Sequence, residues 1–88
     1  MNIIELSDGS HINCQALGER EYHDLLKETG DPVPRYEEEY GIDVRILEDG
    51  TVLVKESDYY TLYLSLDDLE KVLLDSALQS GGREIMLN

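Results

Sequence analysis

The stretch DVRILEDGTVLVK, residues 43–55, leaves a folding chain few options. An Asp-Gly pair between two runs of alternating residues is a strong short-range signal for a β-hairpin. With a three-residue loop, Glu48-Asp49-Gly50, Ile46 faces Val52, Val44 faces Val54 and Asp43 faces Lys55. One side of the ribbon is then wholly β-branched, while Asp43, Lys55, Arg45 and Thr51 take the other. A two-residue loop would set Val44 against Lys55 and mix the two sides. Because facing residues share a side of a sheet, the three-residue loop is expected. Leu47 and Leu53 then fall on the polar side, which requires either a second layer over part of it or a partner.

The same logic applies at residues 2–14, where Ser7-Asp8-Gly9 is the turn, Ile4 faces Ile12 and Glu5 faces His11. A helix is expected over 19–29, with Tyr22, Leu25, Leu26 and Thr29 at helical spacing and Gly30 placed to end it. Glu19, Glu21 and Asp24 crowd its start, where the helix dipole favours negative charge. Prolines at 32 and 34 exclude a central strand there. Pro34 can open a single helical turn through Glu37, Glu38 and Glu39, with Tyr36 and Tyr40 on one side and Gly41 closing it.

Residues 59–64 read as a strand in which Tyr60, Leu62 and Leu64 point one way and Tyr59, Thr61 and Tyr63 the other. Tyr59 and Tyr63 are assigned to the less buried sheet face, beside Leu47 and Leu53. Ser65 caps a helix with Asp68 in the capping-box position, and Leu66, Leu69, Leu73 and Ala77 form its inner stripe. Gly81-Gly82 ends that helix, and Arg83 to Leu87 reads as a short last strand. The expectation is one acidic α+β domain over 1–88, an antiparallel or mixed sheet in the order ββαβββαβ, with two helices packed on one face.

Composition sets the partners. Leu, Ile and Val supply 25 of the 88 residues, enough for an aliphatic core in a chain with neither Phe nor Trp. Twenty acids against seven bases leave a formal charge of −13, beyond the roughly 2–8 charges usual for a small domain. Scattered bases disfavour direct nucleic-acid binding and an anionic membrane surface. The single cysteine, Cys14, fits a reducing compartment, and the amino-terminal residues lack the basic and apolar regions of a signal peptide. A cytoplasmic protein is expected.

Catalytic chemistry is not signalled. His11 and Cys14, three apart on a strand, point to opposite faces, and no second ligand pair completes a metal site. Asp49 and the pair Asp67-Asp68 have sufficient cause as turn and cap residues. No cofactor and no enzyme activity are expected. All six aromatic residues are Tyr, a residue enriched at interface hot spots, and rings beside carboxylates suit arginine-bearing surfaces. The candidate partner-binding residues are therefore Glu37, Glu38, Glu39, Asp43, Glu48, Asp49 and Asp58, with Tyr36, Tyr40, Tyr59 and Tyr63.

In size, charge and absence of catalytic residues the chain resembles the small acidic inhibitors of phages, among them anti-CRISPR proteins and inhibitors of uracil-DNA glycosylase. The likeness is one of class and implies a non-enzymatic nucleic-acid mimic that occupies the basic surface of a nucleic-acid-binding partner, in the host cytoplasm. Leu66 to Leu87 is also similar to the closing helix, Gly and strand of barstar-type immunity proteins, from which the hairpin at 42–56 sets the chain apart. The alternative is an ordinary interaction module or homodimer whose charge serves only solubility.

Overall fold

The computed structural model describes residues 2–75; the expected last strand at 83–87 lies outside them, as do Ala77 and Gly81-Gly82. Strands β1 (Asn2–Glu5) and β2 (His11–Leu17) are followed by helices α1 (Glu19–Leu26) and α2 (Pro34–Tyr40). Strands β3 (Asp43–Ile46), β4 (Val52–Glu56) and β5 (Tyr59–Tyr63) come next, and residues 66–75 form a helix, α3. The five strands make one antiparallel sheet in the order β1-β2-β5-β4-β3. This is an α+β domain, and its order is ββααβββα through residue 75.

Both hairpins close as their sequences require. Ile4 pairs with Ile12 and Glu5 with His11; Asp43, Val44 and Ile46 pair with Lys55, Val54 and Val52. In each turn the Gly takes the left-handed conformation that L side chains resist, φ 91 at Gly9 and φ 90 at Gly50. In each, the Asp carboxylate accepts hydrogen bonds from the backbone N–H and hydroxyl two residues on, at Ser10 and Thr51. Those bonds hold the carboxyls of Asp8 and Asp49 below the usual aspartate range.

The third strand behaves differently from its expected placement. A two-residue turn, Ser57-Asp58, sets Glu56 opposite Tyr59, which brings Tyr63 opposite Val52 and Leu53 opposite Leu62. Tyr59 and Tyr63 therefore share the β-branched face with Val52 and Val54, and Leu53 shares the other with Tyr60 and Leu62. Parity within a strand separates alternate residues but does not say which set meets which face of its neighbour. Only the turn length decides that.

Helices cover both faces, not one. Tyr36 of α2 and Leu69 of α3 join Ile12, Cys14, Val44, Val52, Val54 and Tyr63 in one buried cluster on the β-branched face. On the opposite face α1 lays Tyr22 against Tyr60, rings stacked with centroids 4.5 Å apart, and Leu53 is fully buried. Glu21 reaches back to accept from the Gly18 N–H (3.2 Å) at the start of α1. The helix ends earlier than its apolar spacing predicts: i→i−3 bonds from Glu28 and Thr29 tighten the last turn, and Gly30 is not its cap. Gly41 does close α2, with φ 69, and Ser65 accepts from the Asp68 N–H (3.2 Å) at the start of α3.

Candidate functional site

Pro34 opens α2, and helical periodicity then turns Tyr36 inward and Glu37, Glu38 and Glu39 outward. Tyr36 is 1% exposed, so it is a core residue and not a contact for a partner. Its hydroxyl donates to Glu70 of α3 (2.7 Å), and Glu70 also pairs with the guanidinium of Arg35. That guanidinium lies over the Tyr36 ring, 4.8 Å from the centroid. One carboxylate thus joins the two helices through an arginine stacked on a tyrosine. Tyr40, one turn further on, stacks on Tyr36 (6.3 Å) and remains 39% exposed.

The end of α2 leads through Gly41 into the start of β3, where Asp43 pairs with Lys55 at the end of β4. One residue beyond Lys55, Glu56 faces Tyr59 across the Ser57-Asp58 turn. The fold therefore gathers Glu37, Tyr40, Asp43, Asp58 and Tyr59 at one end of the sheet. A surface depression there is lined by Glu37, Gly41, Ile42, Asp43, Lys55 and Ser57. Tyr59 is 76% exposed, and Asp58 and Glu37 are exposed as well.

Asp43 has a different role from the other acids. Its two oxygens accept from the Arg45 guanidinium at 2.9 and 3.2 Å, and Arg45 also donates to the Gly30 carbonyl. This half-buried fork fastens the α1–α2 connection to the edge of the sheet, and it raises the pKa of Arg45 through the Asp43 hydrogen bond. Asp43 is thereby committed within the fold.

Three of the remaining candidates lie elsewhere. Glu48 and Asp49 occupy the turn at the opposite end of β4, and a five-residue strand places them roughly 15 Å from the Asp58 turn. They border a separate depression with Leu25, Lys27 and Glu28. Tyr63 is buried, not exposed, because its register with Val52 and Cys14 sets it in the main cluster. Burial, with Cys14 next in weight, pushes its phenol up to about 12.

Sequence reasoning gives Asp67-Asp68 a cap role and passes over Glu70, the acid of α3 that joins α2 through Arg35 and Tyr36. His11 and Cys14 point apart as expected: His11 is exposed, 3.4 Å from Glu5, while Cys14 is buried and its thiol pKa is raised by that burial. Among the described residues, no group of three His, Cys, Asp or Glu side chains is placed to hold a metal ion, and no helix is long and apolar enough to cross a membrane. No protein-family model, curated protein or solved structure matches the chain.

Proposed function

We propose that this chain is a non-catalytic binding protein that seats its acidic α2 end on the basic, nucleic-acid-binding surface of a partner protein, as an inhibitor that stands in for the nucleic acid. One observation carries the proposal: the fold engages three of its seven bases in ion pairs of its own and, among the described residues, leaves the acids of α2 without one. Of seven bases, Arg35, Arg45 and Lys71 are held in ion pairs with Glu70, Asp43 and Asp67. Among the described residues, Glu37, Glu38, Glu39, Glu48, Asp49 and Asp58 have no ion-pair partner. Charge of this density works against the compact state, and an opposing basic surface relieves that cost.

A partner bound this way is steered by long-range attraction and released by salt. The test is capture of proteins from the source cells on the immobilised chain, at low and high salt, with and without duplex DNA. A basic nucleic-acid-binding protein is expected, lost by orders of magnitude at high salt and displaced by DNA. Capture that ignores salt, or that leaves the partner able to hold DNA at the same time, excludes the mimic. The triple variant Glu37→Lys, Glu38→Lys, Glu39→Lys should fold and lose the partner, because all three side chains are exposed and have no ion-pair partner among the described residues. A folded triple variant that still binds removes α2 from the interface.

A second reading has an observation of its own. β1 is one of the two outer strands of the described sheet, and its Ile3 is 64% exposed. An edge strand with an exposed apolar residue favours strand-to-strand association, as in a homodimer. Sizing chromatography distinguishes it: a dimer that dissociates on Ile3→Lys supports this reading, and a monomer at all concentrations ends it.

A further inference from the structure

We infer that the α2 end of the molecule selects arginine over lysine, so that its partner contacts it through guanidinium groups; this rests on the acidic-binding proposal above and specifies the chemistry of that contact. The fold contains a filled example of such a seat. Arg35 lies over the face of Tyr36 at 4.8 Å, comes within 3.1 Å of its hydroxyl and pairs with Glu70. Ring, hydroxyl and carboxylate together engage both the flat face and the edge of one guanidinium.

The same ingredients stand open at the end of α2. Tyr40 and Tyr59 are 39% and 76% exposed. Glu37 precedes Tyr40 by three residues and so adjoins it on the helix surface, and Asp58 lies in the exposed turn that leads into Tyr59. Neither carboxylate has an ion-pair partner among the described residues. Lys55 lines the depression together with Glu37 and Asp43, and Asp43 is engaged by Arg45, so among these residues Glu37 is the carboxylate left for an incoming cation.

Arginine fits this arrangement better than lysine for two reasons. A guanidinium is planar and weakly hydrated, so it stacks on a phenol while its edge still donates a fork to a carboxylate. An ammonium is a compact, strongly hydrated point charge that takes the carboxylate but gains less from the ring. Charge complementarity also identifies the occupant. A second copy would bring −13 against −13, whereas a basic partner brings the opposite sign.

The probes are a hexa-arginine and a hexa-lysine peptide, matched in charge and titrated at low salt into the whole chain by NMR. The arginine peptide is expected to bind about fivefold more tightly, the gain of one modest cation–π contact, with shifts centred on Glu37, Tyr40 and Tyr59. The double variant Tyr40→Leu, Tyr59→Leu, checked for an unchanged fold by its amide spectrum, should bring the ratio of the two affinities to one. Tyr40→Phe with Tyr59→Phe should keep it, because the ring faces survive. Equal binding of both peptides by the parent chain overturns the arginine inference and leaves the acidic-binding proposal standing. An arginine preference that persists in the Leu variant also overturns it. Failure of both peptides to bind overturns both.

Discussion

The two faces of the sheet bury similar residues by different means. On the β-branched face, Val44, Val52 and Val54 meet Tyr36, Tyr63 and Leu69 in a cluster roofed by α2 and α3. On the other face a single eight-residue helix covers Leu53, and its main contact is one ring, Tyr22 on Tyr60. Leu53 and Leu69 are nonetheless almost equally buried, at 0% and 1% exposure. A residue on a polar-looking side can be as deep as one in the main core, provided one amphipathic helix lies across it. Face polarity, counted along a strand, is therefore a poor guide to which side of a small sheet meets water.

Truncating those two leucines tests the comparison most severely. Leu→Ala in a core costs about 2–5 kcal/mol, depending on how far the surroundings collapse into the cavity. Leu69→Ala is expected near the upper end, because strands and a second helix hold its surroundings apart. Leu53→Ala is expected near the lower end, because one short helix can settle toward the sheet. Urea denaturation of both variants, compared at constant slope, gives the difference. If Leu53→Ala costs less than about 1 kcal/mol, the second face is not a core layer. If the order of the two reverses, α1 is the more rigid roof.

Much of this architecture could be read from residue patterns. The two Asp-Gly turns fixed the hairpin registers because only one loop length kept apolar residues together, and both pairings occur. Ser65 and Gly41 announced helix ends by local hydrogen-bonding chemistry and left-handed geometry, and both do so. What could not be read was any relation set by distant pairing. Pattern alone puts Tyr63 on the opposite face because no local signal links β5 to β4, and it sets α1 on the same face as α3 because amphipathicity does not name the face a helix covers. The candidate surface suffered in proportion. Glu37 and Asp43 line one depression, while Tyr36 and Tyr63, expected at the partner surface, are buried.

Titration of Tyr22 and Tyr63, a buried phenol from each face, separates the faces by a second measure. Burial raises the pKa of Tyr22, with Asp43 next in weight, and it pushes Tyr63 from its ordinary 10 to about 12. A phenol whose folded pKa is raised keeps its proton when the unfolded chain has lost it. The stability it contributes is complete below pH 10 and is lost as pH rises from 10 through 12. Alkaline absorbance titration should show a late tyrosinate step near pH 12 that disappears in Tyr63→Phe. The same variant should unfold less steeply with pH over that range. A Tyr63 that ionises at its ordinary 10 would mean that water reaches the β-branched face.

The smallest expected effect concerns the residue that decides which face each side chain joins. Ser57 sits at φ 52 in the two-residue turn that sets the register of β5 against β4. A non-glycine residue pays roughly 1–2 kcal/mol for that conformation, and glycine avoids it but loses about 0.5–1 kcal/mol through greater freedom in the unfolded chain. Ser57→Gly should therefore stabilise by about 0.5 kcal/mol, and Ser57→Val should destabilise, since a β-branched side chain resists positive φ most. Both shifts are readable as changes in the urea midpoint. A stabilised Gly variant with unchanged amide shifts at Leu53 and Tyr63 would show that register is held by the faces themselves and the turn merely conforms. Loss of the Tyr63 late titration in the Val variant would show the reverse, that a strained turn is what keeps Tyr63 under α2 and α3 instead of under α1.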